Sequence, residues 1–335
     1  MKIRNIEKFS ASVAVMSLAC ASFAASYNFN FSSSTGGEAV DFWTAVSNSG
    51  EYGSFSMNNP YSVYCDNGTV NAGGNDVNLI LSGKGFSEGY PLRVPGGAVN
   101  LSLNGANLAV VGEGASLVLG APGSTEGGLG YLSLAGGSAL EVADGAVSRS
   151  EQLLMNGGSA SSLSISGKST FYNRNTKIGS ASSVGENRVT ISGSGNDVTF
   201  RNMNFIGGDG TSAASPSGGI LEFVADASGI STVSHISAIQ AFSGVVVADF
   251  SALEWDAAWG SERTFVLISS TGSGNLFKTW CDSQDSLGSI IGASGSFSSD
   301  GSSLSVTISQ VPEPASIAAA FALLAAMCAL SARRR

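Results

Sequence analysis

The sequence predicts an all-β chain. Short strands stack as a parallel β-helix or solenoid between β-rich ends, with an export leader before them and one membrane-spanning helix after them. Three observations predict this. Apolar residues alternate with polar ones in units of three to five residues, the mark of a strand with one buried face. Small turns rich in Gly, Asn and Ser follow these units within a few residues. The composition has 44 Gly and only 12% charged residues, yet 43% hydrophobic residues, too apolar for a disordered linker. An antiparallel β-sandwich is the alternative. Units this short, joined by turns this small, favour stacking over sandwiching.

Residues 1–24 read as the leader. Lys2, Arg4 and Lys8 give a basic start, and Val13 to Ala21 is apolar but too short to span a bilayer. Ser22-Phe23-Ala24 places small residues where a signal peptidase cuts, after Ala24. A lipoprotein signal on Cys20 fits less well, because Ser17 stands where such a signal has Leu. Residues 25–75 are dense in aromatics, and the alternation Tyr27-Asn28-Phe29-Asn30-Phe31 reads as the strand of an N-terminal β cap.

From 76 to 239 the strand units recur. They are Val77–Leu81, Val99–Leu103, Leu108–Val111, Leu117–Leu119, Leu132–Leu134, Leu140–Val142, Leu163–Ile165, Val189–Ile191 and Val198–Phe200. Asn104-Gly105, Gly112-Glu113-Gly114, Gly136-Gly137, Asp144-Gly145 and Gly157-Gly158 punctuate them. Residues 240–309 read as a C-terminal β cap with strands at Val245–Val247, Phe265–Ile268 and Leu304–Ile308. Trp255 and Trp259 fall in a helical turn or wide loop, and Ser298–Gly301 makes a hairpin turn before the last strand.

The units Leu108-Ala-Val-Val-Gly-Glu-Gly-Ala-Ser-Leu-Val-Leu-Gly120 and Leu132-Ser-Leu-Ala-Gly-Gly-Ser-Ala-Leu-Glu-Val-Ala-Asp-Gly145 resemble the passengers of bacterial autotransporters. That resemblance covers about half the chain and implies a right-handed parallel β-helix. No autotransporter barrel follows it.

Residues 310–335 are the most specific stretch. Pro312 and Pro314 flank Glu313; proline lacks an amide proton and holds its predecessor extended, so this stretch is open to an enzyme. Ile317 to Ala332 is apolar except for Ser331, and as a helix it would span about 24 Å. That crosses a bilayer if Ala315 and Ser316 join it and the membrane adapts. Arg333, Arg334 and Arg335 then mark the cytoplasmic side. Val311-Pro312-Glu313-Pro314-Ala315-Ser316, the apolar helix and the three arginines together resemble the PEP-CTERM sorting signal of Gram-negative bacteria. The resemblance implies an exosortase, a membrane-embedded cysteine transpeptidase, as partner, after signal peptidase. It also implies processing near Pro312 to Pro314, and transfer from a transient anchor to the cell surface or extracellular matrix.

Between leader and tail the body keeps 10 of the 16 basic residues and 23 of the 25 acidic ones, a net charge of −13. Nucleic acid needs cations against its phosphates, so it is excluded as a partner. Cys65 and Cys281 are the only cysteines of the body; an exported protein could join them in a disulfide or keep two thiols.

No catalytic or cofactor motif emerges. The single histidine, His235, sits in an alternating strand without a nucleophile elbow, and reads as structural. Gly83-Lys84-Gly85 lacks the spacing of a phosphate loop. Gly74-Asn75-Asp76-Val77 and Gly195-Asn196-Asp197-Val198 resemble half of a calcium-binding nonapeptide. Such motifs act only in tandem, so each reads as a turn feeding a strand, and calcium stays a weak expectation. Gly207-Gly208-Asp209-Gly210 is likewise a turn. Carbohydrate lyases and glycosidases also use parallel β-helices, and Asp197, Arg201 and Asp209 are the acids and base such an enzyme would draw on. The reading is a non-enzymatic structural or adhesive surface protein whose contacts are extracellular polysaccharide or like chains. A polysaccharide lyase or glycosidase and a homophilic assembly module are the alternatives.

Overall fold

The structure, a computed structural model, describes residues 26–31, 40–41, 53–57, 67–82, 92–93, 99–113, 115–119, 130–182, 184–272 and 274–309. The expected leader, the expected sorting tail and Cys65 lie outside these residues. Among the described residues no helix is long and apolar enough to cross a membrane.

The chain is mostly β. Its strands are β1 (Ser26–Phe31), β2 (Val40–Asp41), β3 (Gly53–Met57), β4 (Asn67–Ser82), β5 (Leu92–Arg93), β6 (Val99–Val111), β7 (Ser116–Val118) and β8 (Tyr131–Ala135). Then come β9 (Ala139–Ala143), β10 (Val147–Met155), β11 (Ser162–Ile165), β12 (Thr170–Ile178), β13 (Glu186–Ser192), β14 (Asp197–Phe205) and β15 (Gly218–Val224). The last are β16 (Val233–Ile236), β17 (Ala238–Phe242), β18 (Val245–Asp249), β19 (Glu262–Ser270), β20 (Gly288–Ile291), β21 (Ser294–Ser299) and β22 (Ser303–Ser309). Two short helices, α1 (Gly274–Cys281) and α2 (Gln284–Leu287), interrupt the last group.

Pairing is parallel over most of this length. One ladder runs β9-β11-β13-β15-β18-β20. A second runs from β7 and β8 through β10, β12 and β14 to β16 and β17. From β8 to β16 consecutive strands alternate between the two ladders. Upstream, β6 pairs with both β8 and β9, and β4 pairs with β6 along two stretches. Antiparallel pairing between strands is confined, among the described residues, to β1 with β3 and to β19 and β21 with β22. This rules out the antiparallel sandwich. Parallel neighbours cannot be joined by a tight hairpin, so the chain must cross over and return. It does so by way of the other ladder. The parallel pairing also reaches beyond 76–239, since β1 pairs with β4, and β18 with β20.

In-register stacking puts apolar residues over one another. Leu140, Leu163, Val189, Leu221 and Val246 are successive backbone partners, each no more than 1% exposed. On the second ladder Met155, Ile178, Phe205 and Phe242 are successive partners and all buried. The turns carry a matching set of polar ladders. Asn196 Oδ1 accepts from the Ser169 amide at 3.0 Å, and Ser231 Oγ accepts from the Asn196 amide at 3.0 Å. Ser169, Asn196 and Ser231 are buried, so the backbone groups beside them need such partners. Where two chain segments close in further, only glycine fits: at Gly179, with φ +77°, a Cβ would lie 2.0 Å from the carbonyl oxygen of Ile206.

The parallel ladders end in an aromatic layer. Phe277 and Trp280 of α1 are buried, with Phe242 edge-on to Phe277 at 5.1 Å and Trp280 edge-on to Phe297 at 5.2 Å. The Trp280 indole N–H donates to the carbonyl of Gly244 at 2.9 Å, so its polar end is satisfied. The expected hairpin turn is present between β21 and β22. The Asp300 carboxylate there accepts from the amides of Ser302 at 2.9 Å and Ser303 at 2.7 Å.

Two predictions follow from this packing. Phe200 is fully buried and edge-on to Phe171 at 5.9 Å. Phe200→Ala should destabilise the body by about 3–5 kcal/mol in urea unfolding, the range for truncating a buried aromatic. Asp300 is held at about 2, below its ordinary 3.8, by hydrogen bonds from the Ser302 amide and from the hydroxyl and amide of Ser303. A depressed folded value favours the native state above the unfolded value and loses that benefit as pH falls towards about 2. Asp300→Asn should therefore lower the thermal midpoint at pH 6, and the gap to the parent should close as the pH approaches 2.

Candidate functional site

The concentration of polar and ionic side chains on the second ladder sits at one bend. In β10 and β12 the buried–exposed alternation runs normally, meets two adjacent half-buried residues, and resumes out of phase. β14 repeats the pattern. The residues at the break are Glu151-Gln152, Arg174-Asn175 and Arg201-Asn202. The register skips the first of each pair: Ser150 faces Asn173 and Gln152 faces Asn175, with no Glu151–Arg174 pair between. A strand that bends here turns residues on both sides of the break inward. Polar side chains at the apex then stay near water.

A hydrogen-bonded ladder climbs this bend. Asn175 Nδ2 donates to Glu151 Oε1 at 3.1 Å, and Asn202 Nδ2 to Asn175 Oδ1 at 2.9 Å. Ser237 Oγ donates to Asn202 Oδ1 at 3.3 Å and to the Arg201 carbonyl at 2.9 Å. Arg174 pairs with Glu151 at 3.3 Å, its side chain 40% exposed; pairs this exposed contribute about 0.2–1 kcal/mol. Just inside, Asn173 Nδ2 donates to Ser150 Oγ at 2.7 Å and Thr176 Oγ1 to Asn173 Oδ1 at 2.8 Å, all buried. Most of these groups spend their capacity on the next strand. Such bonds brace one strand against the next, while Glu151 Oε2 is buried without a partner.

A second ionic group lies on the first ladder. Arg188 reaches Glu222 at 3.1 Å and Glu186 at 3.4 Å, and Thr190 Oγ1 donates to Glu222 at 2.8 Å. Both carboxylates turn onto one guanidinium. A glycosidase pair instead faces across the bond to be cut.

The residues singled out in the sequence do not converge. Asp197 is exposed at the start of β14. Arg201 follows four residues later at the bend, about 13 Å away along an extended strand. Asp209 is exposed in a turn beyond the strand. His235 lies in β16, two residues after the buried Val233. Gly195-Asn196 forms a turn and Asp197 begins the next strand, as expected for a turn feeding a Val-led strand. Gly74–Val77 differs: it lies inside β4, where the register against β6 slips between Gly73 and Val77, so a bulge stands in place of a turn. Among the described residues no group of three His, Cys, Asp or Glu side chains is placed to hold a metal ion.

Cys281 ends α1, half-buried. Burial first and the Asp282 carboxylate second raise its thiol above the ordinary range, which disfavours the thiolate a nucleophile needs. Asp226 bridges two turns. Its partial burial raises its carboxyl, but bonds from the amide and hydroxyl of Ser194 and the amides of Ser228 and Gly229 outweigh that and lower it.

The sequence reading missed the bend, because its residues carry no motif. The signal was positional. Val147–Met155, Thr170–Ile178 and Asp197–Phe205 align so that Gln152, Asn175 and Asn202 share a position beside a charged residue. Compared with known protein families, curated proteins and solved structures, the chain matches none.

The ladder reading has its own test. Asn175→Ala should destabilise the body by about 1–3 kcal/mol, because it strips partners from both Glu151 and Asn202. In a double-mutant cycle with Asn202→Ala the two losses should be less than additive; strict additivity would show that the ladder is not coupled.

Proposed function

We propose that this chain is exported, sorted through its C-terminal tail and displayed outside the cell as a non-enzymatic structural or adhesive protein. Its strands wind as a parallel β-solenoid. The observation that supports the structural part is the parallel pairing of β10 to β15 without a register shift, in which apolar residues of one strand stack on those of the next. A stack of that kind is stiff, resists proteases and offers long lateral faces. Two features support passivity. Glu151 Oε1, Asn175 and Asn202 at the bend are engaged with their neighbours in the stack, and the acids and base a lyase would draw on are spread along β14 and beyond it.

The address rests on the termini. Lys2, Arg4, Lys8 and the apolar run to Ala21 fit a cleaved leader. Val311-Pro312-Glu313-Pro314, the apolar run Ile317–Ala332 and Arg333 to Arg335 fit a tail that an exosortase recognises and removes. Surface polysaccharide or further copies of the chain are the contacts suited to such a body.

Mass spectrometry of the mature protein from its native host tests the sorting step. A C-terminus between Pro312 and Ala315 is the expected result. A mature chain that still ends at Arg335 would refute processing.

A further inference from the structure

The last strand delivers the tail beside an aromatic cluster that the core does not fully use. Trp255 and Trp259 lie edge-to-face at 5.6 Å, and Trp259 lies edge-on to Phe265 at 5.9 Å. Both indoles are only half-buried. The Trp255 indole N–H donates to the Gly260 carbonyl at 3.1 Å, which closes the loop and fixes that ring. Arg263 is exposed and lies over the rings of Trp259 at 5.2 Å and Phe265 at 5.8 Å. No carboxylate among the described residues forms an ion pair with it. The result is a half-buried cluster of rings set edge to face, with the Arg263 guanidinium lying against Trp259 and Phe265 and paired with no carboxylate among the described residues.

The chain leaves the described fold at this spot. Ser309 is the backbone partner of Glu262, and Ile308 that of Arg263. Three further residues reach Pro312, an extended span of about 10 Å. The segment that follows is Val311-Pro312-Glu313-Pro314. Proline-rich segments already hold the extended shape that aromatic surfaces recognise, so docking costs them little ordering. Glu313 carries the charge that Arg263 lacks. A tether this short also gives a local concentration in the millimolar range.

We propose that Val311–Pro314 docks on the Trp255–Trp259–Arg263 surface, with the prolines against the indoles and Glu313 paired to Arg263. This rests on the reading of the tail as a sorting signal. It adds that the body shields the processing site until a processing enzyme competes for it. The surface would thus hold its own tail.

The test uses the full chain in detergent micelles, with a photo-reactive phenylalanine analogue in place of Val311. The expected product is an intrachain crosslink to residues 254–265, lost in Trp259→Ala. Amide exchange at Glu313 should be about ten-fold slower in the parent than in Trp259→Ala or Arg263→Gln, and Glu313→Gln should add nothing to Arg263→Gln. Crosslinking to detergent or lipid alone, or exchange unchanged by both variants, would overturn docking; a lipid adduct would assign the cluster to the membrane surface instead. Circular dichroism of each variant separates lost docking from lost fold. The outcome is independent of sorting: a tail that docks but is never cut would sink the sorting reading alone, and a tail that is cut but never docks would sink this one.

Discussion

In-register parallel pairing is the constraint from which the other features follow. When strand lies on strand with the same residues aligned, each side chain meets its counterpart a strand spacing of about 4.8 Å away. An apolar residue thereby gains an apolar neighbour on either side. A polar residue needs a neighbour that completes its hydrogen bonds. Leu140, Leu163, Val189 and Leu221 satisfy the first condition. Asn175 and Asn202 satisfy the second, since an amide both donates and accepts and so can pass a bond from strand to strand, ending on Glu151 Oε1. The same demand selects the turn residues, where Ser169, Asn196 and Ser231 bridge backbone groups that would otherwise be buried without partners.

The constraint also explains why the ends differ from the middle. A parallel ladder has no intrinsic stop, and an uncovered last strand exposes both its edge and its apolar face. Here the stack of Met155, Ile178 and Phe205 passes to Phe242, and the space beyond is filled by Phe277, Trp280 and Phe297. Aromatics suit this position because one large ring covers area that several aliphatic residues would otherwise have to cover. The antiparallel group of β19, β22 and β21 breaks the parallel pattern at the same end.

Much of this was legible in the sequence wherever polarity alternated cleanly. Leu132–Leu134, Leu140–Val142, Leu163–Ile165, Val189–Ile191 and Val198–Phe200 all lie in strands. The turn at Asp300-Gly301 and the helical turn at Ala257–Trp259 were legible from their residue types. β10 and β12 were not, and the reason is physical. Val147–Met155 and Thr170–Ile178 bury Ser148, Ser150, Asn173 and Thr176. Ser150 and Asn173 find their partners across strands and Thr176 bonds to Asn173 on its own strand, whereas the Ser148 hydroxyl is buried without a partner; a single segment does not reveal these neighbours. The bend hid for the same reason: a phase break looks like the end of a strand until the next copies are aligned beneath it. The wide, variable spacing of those copies, 23 residues from Ser150 to Asn173 but 27 from Asn175 to Asn202, conceals the alignment further.

The way the body ends bears on what happens after it. β22 is the last strand in sequence but lies in the middle of its sheet, bonded to β19 on one side and β21 on the other. Both sets of partners run out to Ser309, which faces Glu262 and Ser294. Were the tail anchored as proposed, load on it would act along a strand held on both edges, where many hydrogen bonds must shear together rather than open one by one. Cleavage near Pro312 to Pro314 would fall beyond the last of these pairs and leave every one of them in place. A body built this way can be tethered by its C-terminus and later released from it without a change in its own structure.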